Sequence, residues 1–499
     1  MTSWLDSLLG ALTGRDTPPA PARAPSRPQA PHTVEETVSA VLRRQMPVRF
    51  GEPPRSWLGG LPRMPEHVEW PRDATPLHFV AQVACADLPP ALWGGLGPRE
   101  GWLLLFLDAQ AEDLSERAQS VRVLHVPTLG PERHPPDDSP SMRDEGYEGY
   151  DYRFLRSGDE IPPTWRGWPV DVVALPDAPD ARPENLAATL YPGAPVAERM
   201  HPQDSEERPY TWRGALYVVD SAIRALGGRA PAAPPERDVT RVEAPGWAAG
   251  TIAALDAASA EVRAKLEATP LARAVEHYRG RLAELADARA LLLDGDAPIA
   301  GTALLARLQA SRDAFAEWRA SARGRLDALR TRILAHDLDS AMSEEEFRPI
   351  HDALAADAGE YWALGHVSET NGSAPVRGRV TLQKLAARGY AAARWEVAAD
   401  LYVASPEQRA LIPPDLLARA ESHWRALKDE RPHRMGGTHD GVQSDPAPSP
   451  RSRVLLFQMA SDYAVQWCWG DVGAIYVWID VARLAAHDFS TVEAWLECH

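Results

Sequence analysis

The sequence predicts an α+β protein: a mainly antiparallel, β-rich domain built from two pseudo-repeated arms, with a large α-helical insertion between them. Three observations predict it. Short apolar runs separated by Pro- and Gly-rich turns occur near both ends of the chain, as in antiparallel sheets. The stretch between them is rich in Ala, Arg, Leu and Glu, which favour helices. The two ends also share a pattern, in which an apolar residue, a glycine pair, a glutamine and an apolar strand follow one another.

The composition indicates an acidic globular protein. The 499 residues include 53 Lys and Arg against 70 Asp and Glu, a formal net charge of −17. An acidic surface repels phosphate backbones, so we expect no nucleic-acid partner. No apolar run approaches the roughly 20 residues of a membrane-spanning helix, so we expect no membrane span. The three scattered cysteines, Cys85, Cys468 and Cys498, argue against a disulfide framework and predict a cytoplasmic location.

Residues 1–32 are predicted to be a leader helix followed by a disordered linker. Apolar residues including Trp4, Leu8 and Leu12 fall on one face of a short helix. Thr17–Pro31 is rich in Pro and Ala and too poor in large apolar residues to fold. The pattern leaves open whether the helix docks on its own domain or on a partner or membrane surface.

The first arm is predicted to cover residues 33–243. Its first element is a predicted helix in "HTVEETVSAVLRR", with Thr33 as N-cap and Glu36 completing a capping box. Turn residues then separate runs that predict strands. These strands are Leu77–Ala84, Trp102–Ala109, Ser120–Val126, Val170–Ala174 and Ala215–Val219.

The insertion is predicted to cover residues 244–430. In "LARAVEHYRGRLAELADARALL" apolar residues step by alternating fours and threes, which is a heptad pattern. We therefore expect an antiparallel, coiled-coil-like hairpin from about Leu271 to Ile333. It could be scaffold or could bind a partner. The expected seam passes through Leu282, Leu285, Phe315, Trp318 and Leu329.

The second arm is predicted to cover residues 431–499. Its predicted strands are Arg453–Ala460, Ala464–Trp469, Ala474–Asp480 and Val492–Leu496.

Both arms resemble a known family. The stretches "SWLGGLPRMPEHVEWP", "FVAQVACADLPP" and "GWLLLFLDA" lie in the first arm, and "MGGTHDGVQ" and "WGDVGAIYVWIDVARLAAHDFSTVEAWLEC" lie in the second. They resemble the YwqG-like family of bacterial proteins over roughly Arg49–Val126 and Arg434–Cys498. That family is a domain of unknown function with an α+β fold. The resemblance therefore implies the fold and no particular reaction, and the helical insertion and the leader have no counterpart in it.

The stretch "QWCWGDVGAIYVWID" supplies the main candidate site. Gly470, Asp471 and Gly473 carry turn chemistry between two apolar runs, so a simple hairpin turn is one interpretation. The other is that Asp471 is a polar anchor in an aromatic groove. The groove would be lined by Trp467, Trp469, Tyr476 and Trp478, provided that the faces of the two strands meet.

Gln82 and Gln443 take similar places in the two arms. Each could satisfy local backbone groups, or the two could bind one ligand as a pseudo-symmetric pair. His433, His439 and Asp440 are the best metal-like cluster, but their spacing fits no zinc signature, so we expect no metal site and no cofactor.

Two classes of function fit these observations. The first is a non-catalytic binding protein that presents the aromatic groove and the helical insertion to a protein partner or a small ligand. The alternative is a hydrolase-like, small-molecule enzyme that uses Asp471 with a histidine from elsewhere in the chain. None of the familiar short catalytic or nucleotide-binding motifs occurs, which favours the first class.

Overall fold

The structure is a computed structural model. It describes residues 34, 37–109, 114, 120–140, 163–177, 183, 185–196, 208–228, 233–356, 358–370, 372–427, 431–443 and 452–499. The predicted leader helix and the Pro-rich linker lie outside these residues, as do Thr33 and Glu36 of the predicted capping box.

Within the described residues there are fourteen strands. They are β1 Val38–Arg44, β2 Ser56–Leu58, β3 His78–Ala84, β4 Trp102–Leu107, β5 Val121–Val126, β6 Trp168–Pro176, β7 Leu293–Asp294, β8 Ala297–Pro298, β9 Ala358–Val367, β10 Gly372–Thr381, β11 Arg434–Met435, β12 Arg453–Ala460, β13 Ala474–Asp480 and β14 Glu493–Glu497.

The same part of the chain contains eleven α-helices. They are α1 Leu186–Leu190, α2 Trp212–Gly227, α3 Glu236–Glu243, α4 Trp247–Ala268, α5 Ala272–Leu291, α6 Gly301–Ile333, α7 Glu344–Ala355, α8 Leu382–Ala404, α9 Pro406–Arg409, α10 Pro414–Arg425 and α11 Val481–Ala485.

Ten of the described strands form one antiparallel sheet, in the order β14-β13-β12-β11-β1-β6-β2-β3-β4-β5. The sheet is nearly closed into a barrel. At one edge, the ring of His125 on β5 lies 6.0 Å from the ring of Phe489, which precedes β14 at the other edge. The prediction of a mainly antiparallel sheet is therefore confirmed.

The sheet has an approximate two-fold symmetry centred between β1 and β6. Five strands lie on each side, in the corresponding orders β1-β11-β12-β13-β14 and β6-β2-β3-β4-β5. At the centre, Arg43 of β1 lies directly opposite Asp171 of β6. Bulges interrupt the pairing of β3 with β4 at Val80 and of β12 with β13 at Leu456, which are corresponding places. Strand order and irregularities thus both fit the predicted pseudo-repeat of two arms.

The short strands fix where the symmetry centre lies. Trp57 of β2 faces Pro169, two residues before the centre in β6. Arg434 of β11 faces Val41, two residues before the centre in β1. The two arms therefore meet at equivalent positions of β1 and β6.

The main core lies between the sheet and two long helices. α2 and α8 pack against each other, and residues such as Leu216 of α2 and Tyr402 of α8 are buried with the apolar side chains of the sheet. Helix α10 adds Leu416 and Trp424 to the same core.

A second, separate core contains the outer helices. It is formed by α4, α5, the first turns of α6 and the β9–β10 ribbon, with Leu255, Leu285, Leu308 and Val367 buried in it. Because α8 and α10 belong to the main core, the boundary predicted at residue 430 does not coincide with the division between the cores. The division into domains stays a prediction.

The predicted pairing of the hairpin helices is corrected by the structure. Helix α5 packs along α4 and against β10, whereas α6 runs along β9 and α2. Leu282 and Leu285 accordingly face the second core, while Trp318 and Leu329 pack with the main core. The ring of Phe315 contacts Tyr361 of β9, 4.8 Å away. The β9–β10 ribbon, which the heptad pattern does not reveal, takes much of the place beside α6 in which α5 was expected.

Three further predicted elements differ from the structure. The helix predicted before Arg44 is instead β1, in the middle of the sheet. Five of its seven residues are at least nine-tenths buried, and they lie on both faces of the strand. A strand buried on both faces need not alternate apolar with polar residues. The strand predicted over Ala215–Val219 is part of the 16-residue helix α2, in which these five residues are all buried and so show no helical alternation. The strand predicted over Ala464–Trp469 is a 3₁₀ turn and a loop.

Candidate functional site

The glycines of the stretch from Gly470 to Gly473 allow a close backbone approach. The Gly473 amide donates a hydrogen bond to the Trp469 carbonyl, 2.7 Å away, which closes the turn between β12 and β13. Gly470 has a φ of 53°, and a side chain at Gly473 would overlap the carbonyl of Glu497 on β14. Asp471 is half-buried, and its carbonyl accepts a hydrogen bond from the His499 amide at 3.1 Å. These contacts fit the turn interpretation; they do not test the role of the Asp471 side chain.

The four candidate aromatic residues are buried on two different faces of the sheet. Trp467 and Trp469 belong to the main core, with the ring of Trp165 within 6.1 Å of both. Tyr476 and Trp478 point to the opposite face, because alternate residues of β13 face opposite sides. The structure therefore does not bring the two pairs together around Asp471.

The glutamines have local partners in the backbone. Gln82 accepts a hydrogen bond from the Arg63 amide at 2.9 Å and donates one to the Arg63 carbonyl at 3.2 Å. Its counterpart by strand register is Gln458, which binds the backbone amide and the carboxylate of Asp440, each at 2.8 Å. Gln443 is exposed and is not at the equivalent position.

The metal-like residues have other partners. His433 lies 2.9 Å from Asp462, His439 packs its ring against Tyr476, and Asp440 pairs with Arg434 at 3.1 Å. Among the residues that the structure describes, no group of three or more His, Cys, Asp or Glu side chains could hold a metal ion. In the same residues, no helix is both long enough and apolar enough to cross a membrane.

The two-fold symmetry is broken beside its centre by a buried charged network. Arg44, which is 5% exposed, donates hydrogen bonds to the carboxylate of Asp462 and to the carbonyl of Trp424. Asp462 also accepts hydrogen bonds from the Ala464 amide at 2.9 Å and pairs with His433. Burial acts to raise the pKa of Asp462, but Arg44 and His433 outweigh it and lower the value to about 2. The carboxylate is therefore ionised at neutral pH.

A cleft of about 300 Å³ opens above this network, at the symmetry centre of the sheet. Among the described residues, its charged lining consists of Arg43, Arg44, Arg49, Arg425 and Asp171. Apolar side chains from two segments complete the walls, namely Met46 and Pro47 after β1 and Leu190, Tyr191, Pro192 and Ala194 at the end of α1.

Asp171 is the one acidic side chain among the described lining residues, and two arginines share it. Arg43 contacts one carboxylate oxygen at 3.0 Å, and Arg49 contacts both oxygens. Burial acts to raise the pKa of Asp171, but the hydrogen bonds from Arg49 and Arg43 lower it. Arg49 remains 55% exposed, so part of its guanidinium faces solvent.

Arg425 of the lining shares a second carboxylate, that of Glu421, which lies outside the lining. Arg425 donates to Glu421 at 2.7 Å, and Arg409 contacts the same carboxylate at 3.0 Å. The Nε of Arg425 is buried and has no hydrogen-bond partner among the described residues. His423 lies near Arg44, and burial together with that positive charge lowers its pKa, which keeps it neutral at pH 7.

The family comparison fits the two-arm architecture, but its second segment starts inside the predicted insertion, so the part of the insertion from residue 361 onwards does have a counterpart in the family. A family model described as Domain of unknown function (DUF1963) matches residues 56–190 and 361–498, which together are more than half of the chain. The chain belongs to this family. The two DUF1963 segments hold nine of the ten strands of the sheet, and β1 completes it from outside them. A search of curated proteins found no match.

The cleft draws on both DUF1963 segments. Asp171 lies in the first segment, and Tyr191 directly follows it. Arg425 lies in the second segment, and Arg43 and Arg49 precede both. Sequence reasoning missed the cleft because these residues are far apart along the chain. The available signal was the arginine-rich run "LRRQMPVR" in an acidic protein.

Proposed function

We propose that this DUF1963 protein is a non-catalytic binding protein, and that its ligand is a small molecule carrying phosphate or carboxylate groups that binds in the arginine-lined cleft. The observation that carries the proposal is the composition of the lining: four arginines and one aspartate, in a chain with a net charge of −17.

The charge balance favours an anion. The cluster consists of the four lining arginines, the carboxylates that pair with them, and Arg409, which shares Glu421 with Arg425. It holds five guanidinium groups, from Arg43, Arg44, Arg49, Arg409 and Arg425. Three carboxylates oppose them, those of Asp171, Asp462 and Glu421. Among the described residues, the cluster therefore has two more guanidinium groups than carboxylates paired with them. A planar guanidinium binds phosphate and carboxylate through paired hydrogen bonds.

The size and walls of the cleft suit a small ligand. About 300 Å³ is at the lower end of the range for small-molecule sites, which combine apolar walls with a few polar groups. The apolar side chains of Met46 and Leu190 could contact the uncharged part of such a ligand.

We further propose that the protein belongs with the YwqG-like members of its family, on the motifs of its two arms, and that the helical insertion offers a second contact surface.

The proposal is tested by calorimetric titration of the purified protein with inorganic phosphate and with citrate, in a low-salt zwitterionic buffer. Arg49→Gln should weaken the binding of the better anion about tenfold, because it removes one charged donor at an exposed site. Asp171→Asn should strengthen binding, because the carboxylate competes with the ligand for the same guanidinium groups.

Arg72→Gln is the matched control, since Arg72 is also about half-exposed and pairs with an aspartate, Asp138, away from the cleft. It should leave the affinity unchanged. Equal affinities in wild type and both cleft variants, or no binding of either anion, would contradict the proposal.

A further inference from the structure

Two cysteine thiols converge on Gly470. The Sγ of Cys468 lies 3.5 Å from the Gly470 carbonyl oxygen. On the other side, a side-chain carbon placed on Gly470 would lie only 2.9 Å from the Cβ and the Sγ of Cys498. One residue without a side chain therefore separates the two thiols.

Both cysteines lie outside the regular secondary structure. Cys468 lies in the loop between β12 and β13, outside any helix or strand. Cys498 directly follows the last paired residue of β14, Glu497. Both side chains are half-buried, so a small oxidant can reach them.

From this geometry we infer that Cys468 and Cys498 form a reversible disulfide, and that the pair is an oxidation site of the protein. A disulfide needs Cα atoms about 4.4–6.8 Å apart, so the two cysteines must approach each other past Gly470 for the bond to form. The inference is independent of the cleft and of its ligand.

The oxidant is a peroxide. One thiolate attacks the O–O bond of hydrogen peroxide, which forms a sulfenic acid and releases one water after proton transfer. The second thiolate attacks the sulfenic sulfur and displaces its oxygen as a second water. Two thiols and one peroxide thus give one disulfide and two waters, and a dithiol reductant reverses the change.

The third cysteine serves as an internal control. Cys85 is fully buried in the main core, and burial raises the pKa of its thiol to about 12. Because the thiolate is the reactive form, Cys85 should remain reduced in the folded protein.

The bond would tie an edge strand to the loop that precedes its neighbour. β14 is the outermost strand and pairs only with β13 among the described strands. A disulfide between residues 468 and 498 closes a chain segment that contains β13, α11 and β14. The amides of β14 should then exchange with solvent roughly tenfold more slowly in the oxidised protein, because local opening is restrained.

The test treats the folded protein with hydrogen peroxide, blocks the remaining thiols with N-ethylmaleimide after denaturation, and maps the peptides by mass spectrometry. We expect one intrachain Cys468–Cys498 peptide that has lost two hydrogens, a labelled Cys85, and recovery of the Cys468 and Cys498 thiols after reduction. The single variants Cys468→Ser and Cys498→Ser should form no intrachain link.

The inference is overturned if peroxide converts the two thiols separately to sulfinic acids, if it links cysteines only between molecules, or if it leaves both reduced. Because the wild-type protein alone gives the decisive peptide, poor folding of a serine variant does not affect the outcome.

Discussion

Arg44 joins three parts of the molecule through one guanidinium. It lies on β1, binds the Asp462 carboxylate from the second arm and binds the Trp424 carbonyl at the end of α10. Its own backbone carbonyl accepts a hydrogen bond from the hydroxyl of Tyr191 at 3.2 Å. Since the Asp462 side chain is only 12% exposed, its charge depends on this partner and on His433.

We predict that Arg44→Met lowers the free energy of unfolding by about 3–5 kcal/mol at pH 7, because it leaves a buried carboxylate without its cation. Urea denaturation of wild type and variant measures the change. Arg72→Met removes an exposed ion pair and should cost less than about 1 kcal/mol. A similar small loss for Arg44→Met would contradict this role.

The loss of unfolding free energy caused by Arg44→Met should become smaller as the pH falls. The folded pKa of Asp462 is about 2, below its usual 3.8, so its paired state stabilises the fold above about pH 4 and this contribution is lost as the pH falls towards 2. The difference between wild type and Arg44→Met should therefore shrink from pH 5 to pH 2. A difference that stays constant over this range would show that Asp462 is not the group affected.

At the scale of elements, the β9–β10 ribbon depends on a close approach to α6. A side chain at Gly359 of β9 would overlap the indole ring of Trp318 on α6. The Trp362 amide donates a hydrogen bond to the Ser311 hydroxyl at 2.9 Å, so the contact extends along the helix. The absence of a side chain at Gly359 therefore allows the ribbon to pack closely against α6.

We predict that Gly359→Ala destabilises the protein by about 1–3 kcal/mol, because either the strand or Trp318 must move. Gly280→Ala is the matched control. Gly280 lies inside α5 with no atom near its missing side chain, so alanine there should stabilise by about 0.5–1 kcal/mol. Thermal melts of both variants check the signs, and equal effects would contradict the close packing.

How far the elements could be predicted depended on local signals. The strands from His78 to Ala84 and from Ala474 to Asp480 were predicted within one residue, because turn residues bound their apolar runs. β1 could not be recognised, because a strand buried on both faces has no alternation. The β9–β10 ribbon could not be recognised either, because its contacts with α6 decide which of its residues are buried, and the sequence does not show those contacts.

The candidate site shows the same limit. Asp471 and its aromatic neighbours stood out as a local motif, yet alternation along β13 sends Tyr476 and Trp478 away from Trp467. The cleft joins Arg43 to Asp171 and Arg425 through contacts between distant parts of the chain. The pairing of β1 with β6 brings Arg43 and Asp171 together, and the packing of α10 against β1 adds Arg425.

At the scale of the whole molecule, α6 connects two hydrophobic cores. Leu308, near its start, is buried in the second core, and Leu326, near its end, is buried in the main core. Both side chains have no exposed surface. The two cores can therefore be perturbed separately by the same substitution on one helix.

We predict that denaturant unfolding has two transitions, the second core unfolding first. Leu308→Ala should shift the first transition and Leu326→Ala the second, each by about 2–5 kcal/mol. Circular dichroism and the fluorescence of the main-core tryptophans follow the two steps. A single transition moved equally by both variants would mean that the cores unfold as one unit.

The proposed binding of an anion in the cleft at the symmetry centre is tested best by locating a bound anion there. Crystals equilibrated with selenate, a tetrahedral dianion, can be measured at the selenium absorption edge. We predict that the strongest anomalous peak lies in the cleft, within hydrogen-bond distance of Arg43, Arg49 or Arg425, and that its height falls in Arg49→Gln crystals. An empty cleft with selenate bound only elsewhere would contradict it.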